Sequence, residues 1–147
     1  MENVLKISNL KKTYNTKDTY SKLVLNDINL EVKKGEFIGI MGASGSGKTT
    51  FLNIVSGMLN STSGIVEINN KNISKLNEDE LTTFRRSNIG FVFQGFNLLD
   101  SLTIKENIML PMVLEGKKIN EINSKVCKIL RLLNITDIMD KYPYETS

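Results

Sequence analysis

Apolar and polar residues alternate over the first third of the chain. This period-two pattern predicts strands at residues 4–7 and 28–32, with a polar, turn-rich loop at 11–22 between them. A turn sequence at 33–36 follows, so residues 28–32 are predicted to form one arm of a hairpin. Residues 37–41 are apolar throughout, which is typical of a strand buried on both faces of a largely parallel sheet.

Helical spacing replaces this alternation after Lys48. Apolar residues recur there on one side of a predicted helix, and Gly57 supplies a stop. The pattern next predicts a strand at 64–68 that ends in an Asn69-Asn70 turn, and a short helix at 78–86. Residues 89–93 form a second apolar run bounded by turn residues.

The last third of the chain is predicted to be helical. Thr103 and Glu106 have the spacing of a capping box, and Asn120 is predicted to cap a final helix. The apolar stripe of that helix comprises Ile122, Val126, Ile129, Leu130 and Leu133. Strands that alternate with helices in this way indicate an α/β domain.

The composition agrees with one globular domain. The chain has 147 residues, of which 40 % are hydrophobic and 24 % charged, which excludes disordered, collagen-like and disulfide-stapled classes. A formal charge of +3 is too small to indicate a nucleic-acid partner. Histidine is absent, so histidine metal sites and histidine-dependent triads are excluded.

Cysteine content and hydropathy bear on the compartment. The single cysteine, Cys127, is interpreted as a small buried hydrophobe, which fits a reducing environment. No apolar run approaches the roughly 18 residues of a membrane span, and the first residues lack the pattern of a signal peptide. We therefore expect the chain itself not to cross a membrane.

The candidate chemistry lies in the sequence Gly42-Ala43-Ser44-Gly45-Ser46-Gly47-Lys48-Thr49. It matches the phosphate-binding pattern G-x-x-x-x-G-K-[ST] at every fixed position, between a predicted strand and a predicted helix. Glycines allow successive amides to turn toward an anion, and the helix presents its positive end. Lys48 can then reach β- and γ-phosphates and the Thr49 hydroxyl can bind Mg²⁺. The alternative is a flexible glycine turn with a solvated lysine.

Three segments resemble the ATPases of ATP-binding-cassette (ABC) transporters. Residues 42–50 have the form G-x-S-G-S-G-K-[ST]-T, residues 90–99 resemble the family's glutamine loop, and residues 102–111 resemble the sequence that follows it. The resemblance runs from residue 4 to residue 147. Within the family, the sequence is similar to the branch that contains lipoprotein-release, macrolide-export and antimicrobial-peptide-resistance transporters.

This resemblance implies the α/β fold of a P-loop NTPase. The chain 1–147 would be the N-terminal part of an ABC nucleotide-binding domain, whose mixed sheet includes an antiparallel portion. Residues 1–93 would form the core with the phosphate loop, and residues 94–147 would form the glutamine loop and the start of the helical subdomain.

The resemblance also implies ATP and Mg²⁺ as ligands. Lys48 and Gln94 would be catalytic, and Thr49 and Gln94 would bind the metal, with Gln94 ordering the attacking water. Tyr14 corresponds to the aromatic residue that stacks on adenine, although the residues alone equally allow packing at a strand end. For Gln94 the alternative is a polar cap on a buried strand. The implied nucleotide contacts are Tyr14, Gly42, Ser44, Gly45, Ser46, Gly47, Lys48, Thr49 and Thr50.

Several of the family's hydrolytic residues do not occur in the sequence. These are the aspartate and glutamate that end an apolar strand, a later histidine, and the glycines and glutamine of the signature motif, which would begin just after Glu145. We therefore expect a front portion of a protein of about 220 to 250 residues. Alone, it is expected to bind ATP weakly and not to hydrolyse it.

The implied function is that of the ATP-binding subunit of a transporter on the cytoplasmic face of a bacterial cell membrane. Its partners would be an integral membrane permease and a second copy of the ATPase, without nucleic acid. An ATPase that signals through a membrane partner to a cell-envelope enzyme, without transport, remains open, as does a nonfunctional remnant of a larger gene. A P-loop kinase or GTPase would need an acceptor site or a guanine-reading N/T-K-x-D segment, and the sequence has no such segment.

Overall fold

Two units make up the chain, Met1–Gly90 and Phe91–Ser147, and each has its own apolar core. The structure is a computed structural model that describes residues 2–15, 20–93, 95 and 97–146. Within these residues, no helix combines the length and the hydrophobicity that a membrane crossing requires.

The first unit contains an antiparallel sheet of four strands in the order β2-β1-β3-β4. The long strands β1 (Asn3–Asn15) and β2 (Ser21–Lys33) pair with each other, and β1 also pairs with β3 (Ser63–Ile68). The short strand β4 (Lys71–Asn72) follows the predicted turn at Asn69 and Asn70.

The predicted strands at 4–7, 28–32 and 64–68 are confirmed. Within the predicted loop at 11–22, residues 11–15 and 21–22 are instead strand, because the backbone of β1 continues to pair with β2 as far as Asn15 and Ser21. Residues 16–19 of that loop lie outside the described residues.

Four α-helices and three short 3₁₀ turns complete the described chain. The helices are α1 (Lys48–Val55), α2 (Glu78–Asn88), α3 (Ile104–Leu114) and α4 (Ile119–Leu132). The 3₁₀ turns are Ile73–Lys75, Thr136–Ile138 and Pro143–Glu145. The helices predicted after Lys48 and at 78–86 are confirmed.

The core of the first unit lies between the sheet and the helices α1 and α2. Ile7 and Leu10 of β1 and Val66 of β3 are fully buried, and Phe51 and Ile54 of α1 pack in the same cluster. Burial of side chains of this size contributes roughly 1.5–3 kcal/mol each. The sheet and the start of α1 are therefore held as one rigid support.

The apolar run at 37–41 does not form the strand that its composition predicts, and the second apolar run at 89–93 is not a strand either. Residues 37–41 pair with no strand among the described residues, and Phe37 and Met41 are 97 % and 94 % exposed. In the second run, Val92 is fully exposed. A strand needs a neighbour to receive its backbone hydrogen bonds, and β2 pairs with β1 rather than with 37–41, so the antiparallel partner of the predicted hairpin arm at 28–32 is β1.

The second unit forms its core between α3 and α4. Ile122, Val126 and Leu130 of α4 are buried against apolar side chains of α3, whereas Ile129 and Leu133 are largely exposed. The buried stripe is therefore narrower than predicted.

Two further predictions for α4 are wrong. Cys127 is exposed, because it lies next to Val126 and so falls about 100° around the helix from the buried stripe. Asn120 does not cap the helix. The amides of Glu121 and Ile122 bond to the carbonyl of Lys118, so the helix begins before Asn120.

The predicted capping box at the start of α3 is present. The Thr103 hydroxyl accepts from the Glu106 amide at 3.2 Å, and the Glu106 carboxylate accepts from the Thr103 amide at 2.8 Å. The Thr103 hydroxyl also donates to the Glu106 carboxylate, at 3.0 Å. The bond from the Thr103 amide and, to a smaller extent, the bond from its hydroxyl lower the pKa of the Glu106 carboxyl. The carboxylate therefore stabilises the fold above its unfolded pKa, and that stabilisation is lost as the pH falls through the folded pKa.

We predict that Glu106→Gln lowers the melting temperature at neutral pH, because the charged acceptor is lost at a helix N-terminus. The difference between the parent chain and Glu106→Gln should shrink as the pH falls from about 6 to about 3, through the titration of the carboxyl. Thermal melts followed by circular dichroism measure this difference. The exposed Asp140→Asn serves as a control, and a difference for Glu106→Gln that does not change with pH would contradict the prediction.

Candidate functional site

The glycine-rich loop at 42–47 leads directly into α1. Gly47 is the residue before the helix and has a φ of 96°. No side chain caps this helix end, and its first turn contains no acidic residue. The positive end of the α1 dipole therefore remains available to an anion.

Several amides at this helix end have no acceptor among the described residues. In the loop, the Ser46 amide donates to the Ala43 carbonyl at 3.2 Å, and the first amide bonded back within the helix is that of Phe51. The amides of the four intervening residues 47–50 and that of Gly45, just before Ser46, donate to no other described residue. Such a set of unpartnered donors fits the oxygens of a polyphosphate.

The ammonium group of Lys48 lies across the same loop. Its Nζ donates to the carbonyl oxygens of Gly42 and Ala43, both at 2.8 Å. These two bonds use two of the three ammonium protons and hold the charge above the loop. Lys48 is half-buried and forms no ion pair with a described residue, so its positive charge adds to that of the helix end.

Close packing against β2 fixes the position of the loop. A Cβ atom on Gly47 would lie 3.0 Å from Val24 Cγ1 and 3.1 Å from Leu25 Cδ2. The positive φ and the lack of space both require glycine at this position. Gly45 also has a positive φ, of 75°, but open space surrounds its Cα.

Tyr14 lies beside the same helix end. Its hydroxyl is 3.5 Å from Thr50 Oγ1, at the limit of a hydrogen bond. The ring and the loop line one cavity of about 360 Å³, together with Lys22 and Val24 of β2. The lining includes Tyr14, Lys22, Val24, Gly45, Gly47, Lys48, Thr49 and Thr50.

All nine nucleotide contacts predicted from the sequence belong to this loop or line the cavity. Gly42, Ser44 and Ser46 lie in the loop but do not line the cavity. Gln94 lies outside the described residues. Lys22 was missed by the sequence analysis, and only the strand pairing, which places it opposite Tyr14, brings it to the site.

The site fits a nucleoside polyphosphate with a bound magnesium ion. No group of three or more acidic, cysteine or histidine side chains that could hold a metal occurs within the described ranges. The Thr49 hydroxyl, at the exposed rim of the cavity, is a suitable oxygen donor for Mg²⁺ when a polyphosphate supplies further oxygens.

Comparison with known proteins decides the family. The profile of the family described as ABC transporter matches residues 25–147. The chain belongs to the ABC transporter family.

Related ABC proteins cover the same region. The chain is 47 % identical over 146 residues to the uncharacterized ABC transporter ATP-binding protein YvcR of Bacillus subtilis. It is 43 % identical over 144 residues to the bacitracin export ATP-binding protein BceA of Halalkalibacterium halodurans. These alignments cover 99 % and 98 % of this chain, which spans 56 % of the length of each relative.

A solved ABC cassette shares the fold. The chain aligns with the dimeric, post-hydrolysis structure of the ATP-binding cassette MJ0796 bound to ADP and Pi, with a TM-score of 0.88 and 37 % identity. The alignment covers 97 % of this chain and 63 % of that one. The expected P-loop NTPase fold is thereby confirmed.

We predict that Gly47→Ala destabilises the chain more than Gly45→Ala. The positive φ alone costs an alanine about 1–2 kcal/mol of unfolding free energy, and this cost applies at both positions. At Gly47 the new methyl group must also displace Val24 and Leu25. Urea unfolding of both variants measures the difference, and equal losses would show that the packing against β2 is not restrictive.

Proposed function

We propose that this chain is the ATP-binding part of an ABC transporter ATPase and that it binds ATP with Mg²⁺ at the loop 42–50. The observation that carries the proposal is the presence of unpartnered amides and of the Lys48 ammonium together at the N-terminus of α1. This arrangement supplies many donors at close range, which a triphosphate requires and few other ligands can satisfy.

Each part of the site would bind a different part of the nucleotide. The amides of the loop and Lys48 would hold the phosphates, and the Tyr14 ring would stack on the base. Thr49 and Gln94 would hold Mg²⁺, which neutralises phosphate charge when bound. Gln94 and Lys48 would be the catalytic residues of the complete ATPase.

The function of the whole protein extends this proposal. ATP binding and hydrolysis would be coupled to transport by a separate membrane permease, with the ATPase peripheral to the cytoplasmic face of the membrane. Its relatives support this role, since they include a bacitracin export ATP-binding protein and methionine import ATP-binding proteins. A second copy of the ATPase is a proposed partner because the matching cassette structures are dimeric.

We predict that Lys48→Ala weakens ATP binding about tenfold or more, because hydrogen bonds to charged groups contribute roughly 1.5–3 kcal/mol. Isothermal titration of the chain with ATP and Mg²⁺ measures the dissociation constant.

Lys34→Ala is the matched control for this experiment. It removes the same charge from an exposed turn after β2, so it should bind ATP as the parent chain does. Equal affinity of Lys48→Ala and the parent chain would overturn the assignment of the site. Equal weakening by both variants would show that only net charge matters.

A further inference from the structure

Lys12 contacts the ring of Tyr14 from outside the cavity. The two residues are two positions apart on β1, so their side chains leave the same face of the strand. Lys12 Nζ lies over the ring, 5.1 Å from its centroid, within the range of a cation–π interaction. Tyr14 lines the cavity beside the phosphate loop, whereas Lys12 does not.

The ammonium group of Lys12 is itself anchored. Its Nζ donates to the carbonyl oxygen of Asn60 at 2.7 Å, in the segment that follows α1. Thr13 lies between Lys12 and Tyr14, and its amide donates to the Thr62 hydroxyl of the same segment at 2.9 Å. The end of β1 is thus tied to the segment after α1 both by a side chain and by the strand backbone.

The Tyr14 ring is consequently restrained from two directions. Lys12 covers one of its faces, and its hydroxyl lies 3.5 Å from Thr50 Oγ1 on α1. One face of the ring therefore remains for a flat ligand. A side chain that is already ordered loses less conformational entropy when a ligand stacks on it.

We propose that Lys12 is a positioning residue for recognition of the nucleobase. Its anchored ammonium holds the Tyr14 ring by one face and presents the other face to the base of the bound nucleotide. This inference rests on the proposed function, because it assumes that a nucleotide binds at the loop. It concerns the base alone, since the phosphates bind the amides and Lys48.

The distinction between base and phosphate provides the test. The parent chain and its variants are titrated with ATP and with inorganic tripolyphosphate, each with Mg²⁺, and the ratio of the two affinities is compared. Lys12→Gln keeps an N–H donor for Asn60 but removes the positive charge. We expect it to reduce the preference for ATP over tripolyphosphate about two- to fivefold, the range of an exposed cation–π interaction.

Three further variants separate positioning from general effects. Lys12→Arg keeps a cation over the ring and should keep the parent ratio. Lys11→Gln removes the same charge from the exposed neighbouring residue and should also keep it. In a chain that already carries Tyr14→Ala, Lys12→Gln should cause no further change, because the ring that it positions is gone.

Each outcome decides the inference. The role of Lys12 would be overturned if Lys12→Gln left the ratio of the ATP and tripolyphosphate affinities unchanged, whether or not both affinities fell in parallel. Either result would leave the proposed function intact. A parent chain that binds neither ligand would overturn the proposed function and this inference with it. If melting curves show that Lys12→Gln does not fold, Lys12→Arg decides, since a ratio as low as that of Tyr14→Ala would contradict the proposal.

Discussion

The close approach of Gly47 to β2 is the contact on which the arrangement of the site depends. Because this residue has no side chain, the loop lies against Val24 and Leu25, and α1 starts at a fixed distance from the sheet. Leu25 also belongs to the core that contains Phe51, so the same contact joins the loop to the packing of the first unit. The helix end, the lysine and the Tyr14 ring are positioned together as a result.

Local patterns predicted the parts of the fold that local interactions determine. The phosphate loop, α1 and the capping box of Thr103 and Glu106 all follow from residue types at fixed short spacing. The apolar runs at 37–41 and 89–93 could not be placed in this way, because a strand depends on partners distant in sequence. Cys127 was misjudged because the packing of α4 against α3 sets which residues are buried, and Asn120 was misjudged because the first bonds of the helix already run to the carbonyl of Lys118.

One part of the candidate site, the phosphate loop, can be identified from the sequence. The other part is brought to the loop only by the pairing of β1 with β2. The motif at 42–49 indicated phosphate binding without any structure. The family resemblance had implied a role for Tyr14, whereas Lys22 was missed. The two residues line one cavity because the register of β1 and β2 places them opposite each other. No short motif predicts that register, since bulges interrupt it at several points along the pair. The contact of Lys12 with the ring depends on the same strand end.

Lys48 already donates hydrogen bonds to the carbonyl oxygens of Gly42 and Ala43. An anion that binds Lys48 would therefore have to replace these bonds. An arriving ligand must compete with two existing hydrogen bonds for the ammonium group, so only the surplus contributes to affinity. A singly charged anion such as chloride would compensate poorly for the loss of these hydrogen bonds, whereas the several charges of a polyphosphate would compensate fully. A loop built in this way would discriminate among anions by charge density, before any contact with a base or a metal is made.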